Sequence, residues 1–313
     1  MTGKLYRIFF IFFLLIHFNV IGQNEIIIDY KINQDNSVNF NYKKTSYQSQ
    51  LLKIKFSSLY NTSSQSTFTK TIKNKSGFLM KLKPVNSEES IGFQYSYSFF
   101  NGNINSKIDR DFQYVFPFIK DEIIRPIELY NIDNKYLNDN LPKDWKSYSF
   151  SFDTSKDVMS IRRGTVIEII DIHTPNLNLE YDYYSNQNSI KIEHRDGSVA
   201  VYKGFDKNRI NVNVGDEVYP QTKIGELSQF DKRNIYRLYL SLICFKTVGG
   251  KNINKIQGLE DYEIVYLTPK FFNSKSSIIS SGINYKVEYN ENILFKELKK
   301  REIKKFKSLK NKN

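Results

Sequence analysis

The sequence predicts an all-β protein: an N-terminal immunoglobulin-like β-sandwich, a second β domain of barrel-sandwich type, and a basic C-terminal helix. Two observations carry that reading. Short runs alternate apolar and polar residues with the two-residue period of half-buried strands, as in Ile190-Lys-Ile-Glu193 and Val38-Asn-Phe-Asn-Tyr42. Turn signals separate these runs every eight to twelve residues or so, the spacing of sandwiches and barrels. The aromatic content fits as well, because 24 Phe and 22 Tyr suit packing across strands.

At the N-terminus, Lys4 and Arg7 precede an apolar run from Ile8 to Val20, and Ile21-Gly-Gln23 offers a small residue for cleavage. Residues 1–22 therefore read as a signal peptide cut near Gly22, which implies export to the periplasm or outer envelope. The run is too short for a comfortable membrane span, and the region has no Cys for a lipid anchor. The chain has one Cys, so an internal disulfide is excluded and stability must come from buried apolar surface.

Residues 23–125 read as the sandwich. Val38 to Tyr42, Leu52 to Phe56, Phe68 to Ile72, Phe78 to Leu82 and Phe93 to Phe99 are strand candidates, and Asn, Ser, Lys and Gly punctuate them. About seven strands are expected over this length. Residues 126–144, with Pro126, Pro142 and several Asn and Asp, read as a linker. Residues 145–275 form the second domain, where Asp196-Gly197 is a hairpin turn because Gly tolerates positive φ. A further turn is expected at Gly215-Asp216.

Residues 276–313 form a basic tail. Lys296 to Asn313 holds nine Lys or Arg and two Glu, more than half of the net +13. The rest is only weakly cationic, which argues against nucleic acid as a partner. Phe295, Leu298, Phe306 and Leu309 are expected on one helical face. The lysines are expected either simply solvated or docked on an anionic surface.

The order of motifs from Tyr148 to Leu242 adds a resemblance. Tyr148-Ser-Phe-Ser-Phe152, Arg163-Gly-Thr-Val166, His194-x-Asp-Gly-Ser198, Tyr202-Lys-Gly204, Val214-Gly-Asp-x-Val218, Ile224-Gly225 and Arg237-Leu-Tyr-Leu-Ser-Leu242 follow in turn. The series resembles the lysostaphin-type (LytM-like) zinc peptidoglycan endopeptidases over roughly residues 145–245. Their pattern runs from YxxDF through YxHL and VGDxV to HLHFEI. The resemblance implies that zinc is held by a first His, the Asp of YxxDF and the second His of HxH, with the remaining histidines supporting catalysis.

Carried over position by position, those roles fall on residues that cannot perform them. The Asp is Ser151, the YxHL His is Gly204, and the HxH pair is Arg237 and Tyr239; nothing between Tyr130 and Lys146 replaces the first His. A catalytic zinc site needs about three protein ligands and an open position. The chain has only His17, His173 and His194, the first in the leader. A guanidinium has no lone pair to donate and stays charged, so it would repel the cation. The zinc cofactor is therefore expected to be lost and the catalytic set to be empty.

Asp153, two residues from Ser151, is a weak stand-in for the missing Asp, and His173 lies in a polar loop. Cys244, between Ile243 and Phe245, reads as a buried inert thiol. Tyr148, His194 and Tyr202 are candidates for binding in the old groove. The aromatic residues are expected to pack across strands rather than grip glycan rings. No biotinyl or lipoyl carrier signal accompanies the VGDxV turn. The leading expectation is an exported pseudoenzyme that binds peptidoglycan or a cell-wall enzyme. The alternatives are an active zinc endopeptidase with displaced ligands, or a structural envelope protein.

Overall fold

The structure, a computed structural model, describes residues 25–130, 144–174, 187–229, 234–247, 262–273 and 279–310. The leader, most of the expected linker and most of the loop after His173 lie outside the described residues. The protein is all-β apart from two short helices.

The first strands are β1 (Ile26–Ile32), β2 (Val38–Lys44), β3 (Gln50–Tyr60), β4 (Thr67–Ile72), β5 (Ser76–Leu82) and β6 (Gly92–Asn101). They form two three-stranded sheets, ordered β1-β2-β5 and β4-β3-β6. Six strands stand where the spacing predicts about seven. Both sheets bury one face in a shared core that includes Val38, Phe40, Leu52, Ile54, Ile72 and Leu82. The alternation read in Val38 to Tyr42 is real: Val38, Phe40 and Tyr42 face the core.

The chain continues through β7 (Gln113–Tyr114), β8 (Ile123–Ile124), β9 (Ile127–Tyr130), β10 (Lys146–Phe152), β11 (Asp157–Met159) and β12 (Gly164–Ile170). There follow β13 (Asn188–His194), β14 (Val199–Ile210), β15 (Glu217–Val218), β16 (Lys223–Leu227), β17 (Tyr236–Thr247) and β18 (Tyr262–Leu267). Most of these join one large antiparallel sheet, with neighbours β15-β12-β13-β14-β17-β10-β9 and with β11, β16 and β18 attached. β19 (Lys270–Phe271) pairs with β7, and β20 (Tyr285–Lys286) pairs with β8. At the Asp196-Gly197 turn, Gly197 adopts φ +88° and donates its N–H to His194 O at 2.9 Å.

The second core starts earlier than the sequence suggests. Phe112, Tyr114, Phe116, Phe118 and Ile124 are buried with Phe150, Tyr202 and Leu240, so the stretch before residue 125 packs with the second body. Long-range ring contacts hold it there: Phe116 stacks on Phe271 at 4.6 Å, and Phe118 packs edge-on against Phe150 at 5.3 Å. The tail also belongs here in part, since Ile279 and Val287 lie in the same core.

The single apolar helical face expected in the tail is broken. Helix α1 (Glu291–Phe295) ends, and α2 (Lys300–Lys310) starts after a turn. Phe295 and Phe306 meet edge-on across that break, with centroids 5.5 Å apart. Phe306 also packs against Tyr219 at 6.0 Å. Two acidic residues among the lysines tie the tail down. Glu297 takes a bidentate contact from Arg162 at 3.0 and 2.7 Å, and Glu302 takes one from Arg163 at 3.1 and 2.7 Å.

Candidate functional site

The site is built by three neighbouring strands of the large sheet, β10, β17 and β14. Strand pairing puts directly opposed residues on the same face. Ser151 lies opposite Arg237, and Tyr239 is flanked by Ser149 on one side and Lys203 on the other. Tyr148, Phe150, Leu238, Leu240 and Tyr202 occupy the other face and form the core. One sheet therefore separates an apolar face from a face of hydroxyls and cations.

That polar face changes character along its length. Towards Val199, Val201 and Ile243 it is apolar and covered by Phe100 and Ile104 from the end of the sandwich. Towards Lys203, Tyr239 and Arg237 the side chains are only partly buried, and Ser151 is exposed.

Arg237 is held in place. Its Nε donates to Ser151 Oγ at 3.0 Å and its Nη1 to Tyr239 Oη at 3.2 Å. Both acceptors are neutral hydroxyls, so neither cancels the guanidinium charge. Among the described residues no carboxylate is ion-paired with it. Three of the five guanidinium N–H donors remain beyond these two bonds.

Gly204 sits against the same strand. Its φ is +114°, and a Cβ there would lie 2.1 Å from Arg237 O. No larger residue fits unless β14 moves away from β17. The four residues that the sequence assigns to lost ligand and catalytic positions are thus brought together.

The three expected groove residues are not. Tyr148, Tyr202 and His194 are 2, 0 and 2% exposed, and Tyr148 and Tyr202 point into the core, away from the polar face. Tyr148 and Tyr202 share the core face with Phe150 and Leu240, as the alternation in Tyr148-Ser-Phe-Ser-Phe152 implies. Tyr202 uses its hydroxyl to accept from Ile161 N at 3.0 Å.

His194 lies at 2.9 Å from Arg163 O through Nδ1. A carbonyl only accepts, so Nδ1 carries the proton, and Nε2 is buried without a partner among the described residues. Burial first and then nearby Arg162 lower its pKa to about 3, which keeps the ring neutral. It lines a cleft of about 630 Å³ between the sandwich and the tail, along with Lys73, Arg163, Glu217 and Lys296.

The other candidates lie apart from the polar face. Asp153 is exposed beyond the end of β10. His173 is tied to Asn188 by its backbone N–H and C=O at 2.8 and 2.9 Å. Cys244 is buried and belongs to the second core. Among the described residues no cluster of three or more His, Cys, Asp or Glu could hold a metal ion. The donor set at the converging positions, a hydroxyl, a glycine, a guanidinium and a phenol, does not fit zinc.

Comparison with known proteins adds little. No protein-family profile matches the chain, and no curated protein matches it. Among solved structures, one similar chain comes from the SpoIIQ-SpoIIIAH pore-forming complex. It is 16% identical over 42% of this chain and 85% of that one, with a TM-score of 0.30. Another is Helicobacter pylori Csd3, 12% identical over 92% of this chain and 81% of that one, with a TM-score of 0.27. At these TM-scores neither likeness bears on activity.

Sequence reasoning missed Lys203. It is part-buried, and burial with help from Lys191 lowers its pKa to about 8. The signal was present: Lys203 lies one residue from Tyr202 in a two-residue period and must face away from the core. Lys203 and Arg237 put two cations on one sheet face with Ser149, Ser151 and Tyr239, and the Lys191–Glu168 ion pair lies beside Lys203.

Proposed function

We propose that this protein is an exported envelope protein whose second β domain is a non-hydrolytic relative of the lysostaphin-type endopeptidases, and that it binds carboxylate-bearing cell-wall peptides. The observation that carries this reading is Arg237, which falls on a catalytic-histidine position of the resemblance and is fixed by Ser151 and Tyr239, at two positions where it expects metal ligands. A guanidinium there opposes a divalent cation and favours an anion. Bidentate capture of a carboxylate is the chemistry it suits best, with Lys203 adding charge.

Peptidoglycan stem peptides carry free carboxylates and would meet an exported domain. The leader read from Lys4, Arg7 and the apolar run supports export. Among the described residues no helix is long and apolar enough to cross a membrane. A partner enzyme presenting an acidic peptide would use the same two cations. Lys299, Lys300, Arg301, Lys304 and Lys307 are exposed on the docked tail and suit contact with an anionic surface.

The test combines co-sedimentation with purified cell walls, metal analysis of the protein and a cell-wall zymogram. The reading expects binding that falls at high salt and in Arg237→Ala, without stoichiometric zinc or chelator-sensitive cleavage. One equivalent of zinc with cleavage abolished by chelator would establish the displaced-ligand enzyme instead. A folded protein that ignores cell walls and cell-wall enzymes alike would favour a structural role.

A further inference from the structure

The N-terminal sandwich carries an unfinished edge. Among the described residues strand β1 pairs with β2 alone and ends its sheet. Ile28, Tyr30 and Ile32 lie opposite Tyr42, Phe40 and Val38, so they belong to the core-facing side. Yet Tyr30 and Ile32 are 53 and 52% exposed, whereas Phe40 and Val38 are 0% exposed. Tyr30 reaches the core only at its margin, with its ring 5.9 Å from Phe40 and 5.0 Å edge-on to Phe93. The core face thus runs on past the last strand with no further strand beyond it among the described residues.

The backbone fixes how another strand could add. Thr45 N donates to Glu25 O, so odd-numbered residues of this strand point towards β2. Residues 26, 28, 30 and 32 therefore present their N–H and C=O groups to the open edge. Tyr97 Oη already fills Ile26 O at 2.6 Å, and Tyr95 Oη reaches Ile28 O only weakly at 3.4 Å. The usable edge is Ile28 to Ile32, and its centre is Tyr30.

We propose that β1 pairs antiparallel with β1 of a second copy of this chain, about a two-fold axis at Tyr30, joining two three-stranded sheets into one of six strands. The charges select this partner and this register. With Tyr30 opposite its own copy, Asp29 faces Lys31 of the other chain and Lys31 faces Asp29, while Ile28 faces Ile32. Centring one residue earlier sets Asp29 against Asp29, and one later sets Lys31 against Lys31. Like charges directly opposite are destabilising, whereas opposite charges and apolar pairs contribute to sheet stability. Slips by one residue between the two copies are excluded because outward-pointing groups would meet inward-pointing ones. The same pairing would cover Tyr30 and Ile32 and close an exposed apolar edge that otherwise invites unspecific pairing.

The test is sedimentation velocity on the purified protein over a wide concentration range. Wild type is expected to show a concentration-dependent dimer. Asp29→Lys or Lys31→Asp alone turns two attractive contacts into repulsive ones and should weaken the dimer about tenfold or more. Both residues are exposed on the outer face, so each variant should keep the monomer's fold. The double variant D29K/K31D restores both opposed pairs and should restore the dimer. Tyr30→Cys should form a reducible disulfide-linked dimer, because a hydrogen-bonded antiparallel pair holds its Cα atoms about 5.5 Å apart, within disulfide reach. A monomer at every concentration would overturn the proposal and leave the edge to a strand from another protein. Single variants that dimerise like wild type, or a double variant that fails to recover, would overturn the register.

Discussion

Two arginines in the second body show what separates a structural charge from an available one. Arg162 is 2% exposed and fully compensated: Glu297 grips it at two points, Asp196 accepts from it at 2.8 Å, and Phe112 lies 3.7 Å from its guanidinium centre. Although burial opposes the charge, Glu297 with Tyr114 and Asp196 keeps its pKa raised, so it stays protonated. Arg237 is part-buried and restrained by two hydroxyls. Among the described residues no carboxylate pairs with it, so it is fixed there without being neutralised. Arg162 joins the tail to the sheet, whereas Arg237 is held by two hydroxyls and, among the described residues, by no carboxylate.

The contrast is sharpest under mutation. Arg162→Ala would leave Glu297 and Asp196 facing each other in a poorly hydrated site and should cost about 3–5 kcal/mol. A lowered midpoint in urea, with protease cleavage of the tail, is the expected readout. Gly204→Ala comes next. The new Cβ overlaps the Arg237 carbonyl and must accept a positive φ, so at least about 2 kcal/mol should be lost in the same denaturation. A neutral outcome would mean that β14 and β17 are not as close as they stand here.

A smaller effect should follow from pH. His194 is neutral in the native state down to about pH 3, whereas an unfolded histidine binds its proton near pH 6.5. Between those values the unfolded state holds more protons, so stability rises with pH through this window and levels off above it. Thermal melts should therefore show a loss on the order of 1–2 kcal/mol from pH 7 to pH 5. His194→Asn, whose amide can still donate to Arg163 O, should flatten that loss. An unchanged slope would assign it to other groups.

Smallest in stability is Arg237→Ala. It removes two bonds to hydroxyls on a part-open face and should change the fold's stability by less than about 1 kcal/mol. Binding of an acidic peptide, by contrast, should weaken about tenfold or more. A protein for which Arg237 mattered as much to folding as Arg162 would contradict the distinction drawn between them.

Much of this was legible in the sequence. Ile190 and Ile192 gave β13, Asp196-Gly197 gave its turn, and the motif order singled out Ser151, Arg237 and Tyr239, which lie side by side on β10 and β17. The alternation in Tyr148-Ser-Phe-Ser-Phe152 also held the correction to the groove residues, because a period of two puts Tyr148 with Phe150 and away from Ser151. What could not be read was contact across long separations. Glu297 and Glu302 look like stray acids in a lysine run, and only the fold brings them to Arg162 and Arg163. The early start of the second core is of the same kind, since Phe116 is explained by Phe271, far along the chain.

We propose that Arg237, restrained by two hydroxyls and without a carboxylate partner among the described residues, makes the polar face of β10, β17 and β14 an anion-binding surface. Calorimetric titration of the purified protein with a soluble muropeptide bearing free stem-peptide carboxylates tests it most directly. Saturable binding to wild type, weakened about tenfold or more in a folded Arg237→Ala variant, is the predicted result. Equal affinity in the two proteins, or hydrolysis of the muropeptide during the titration, would contradict it.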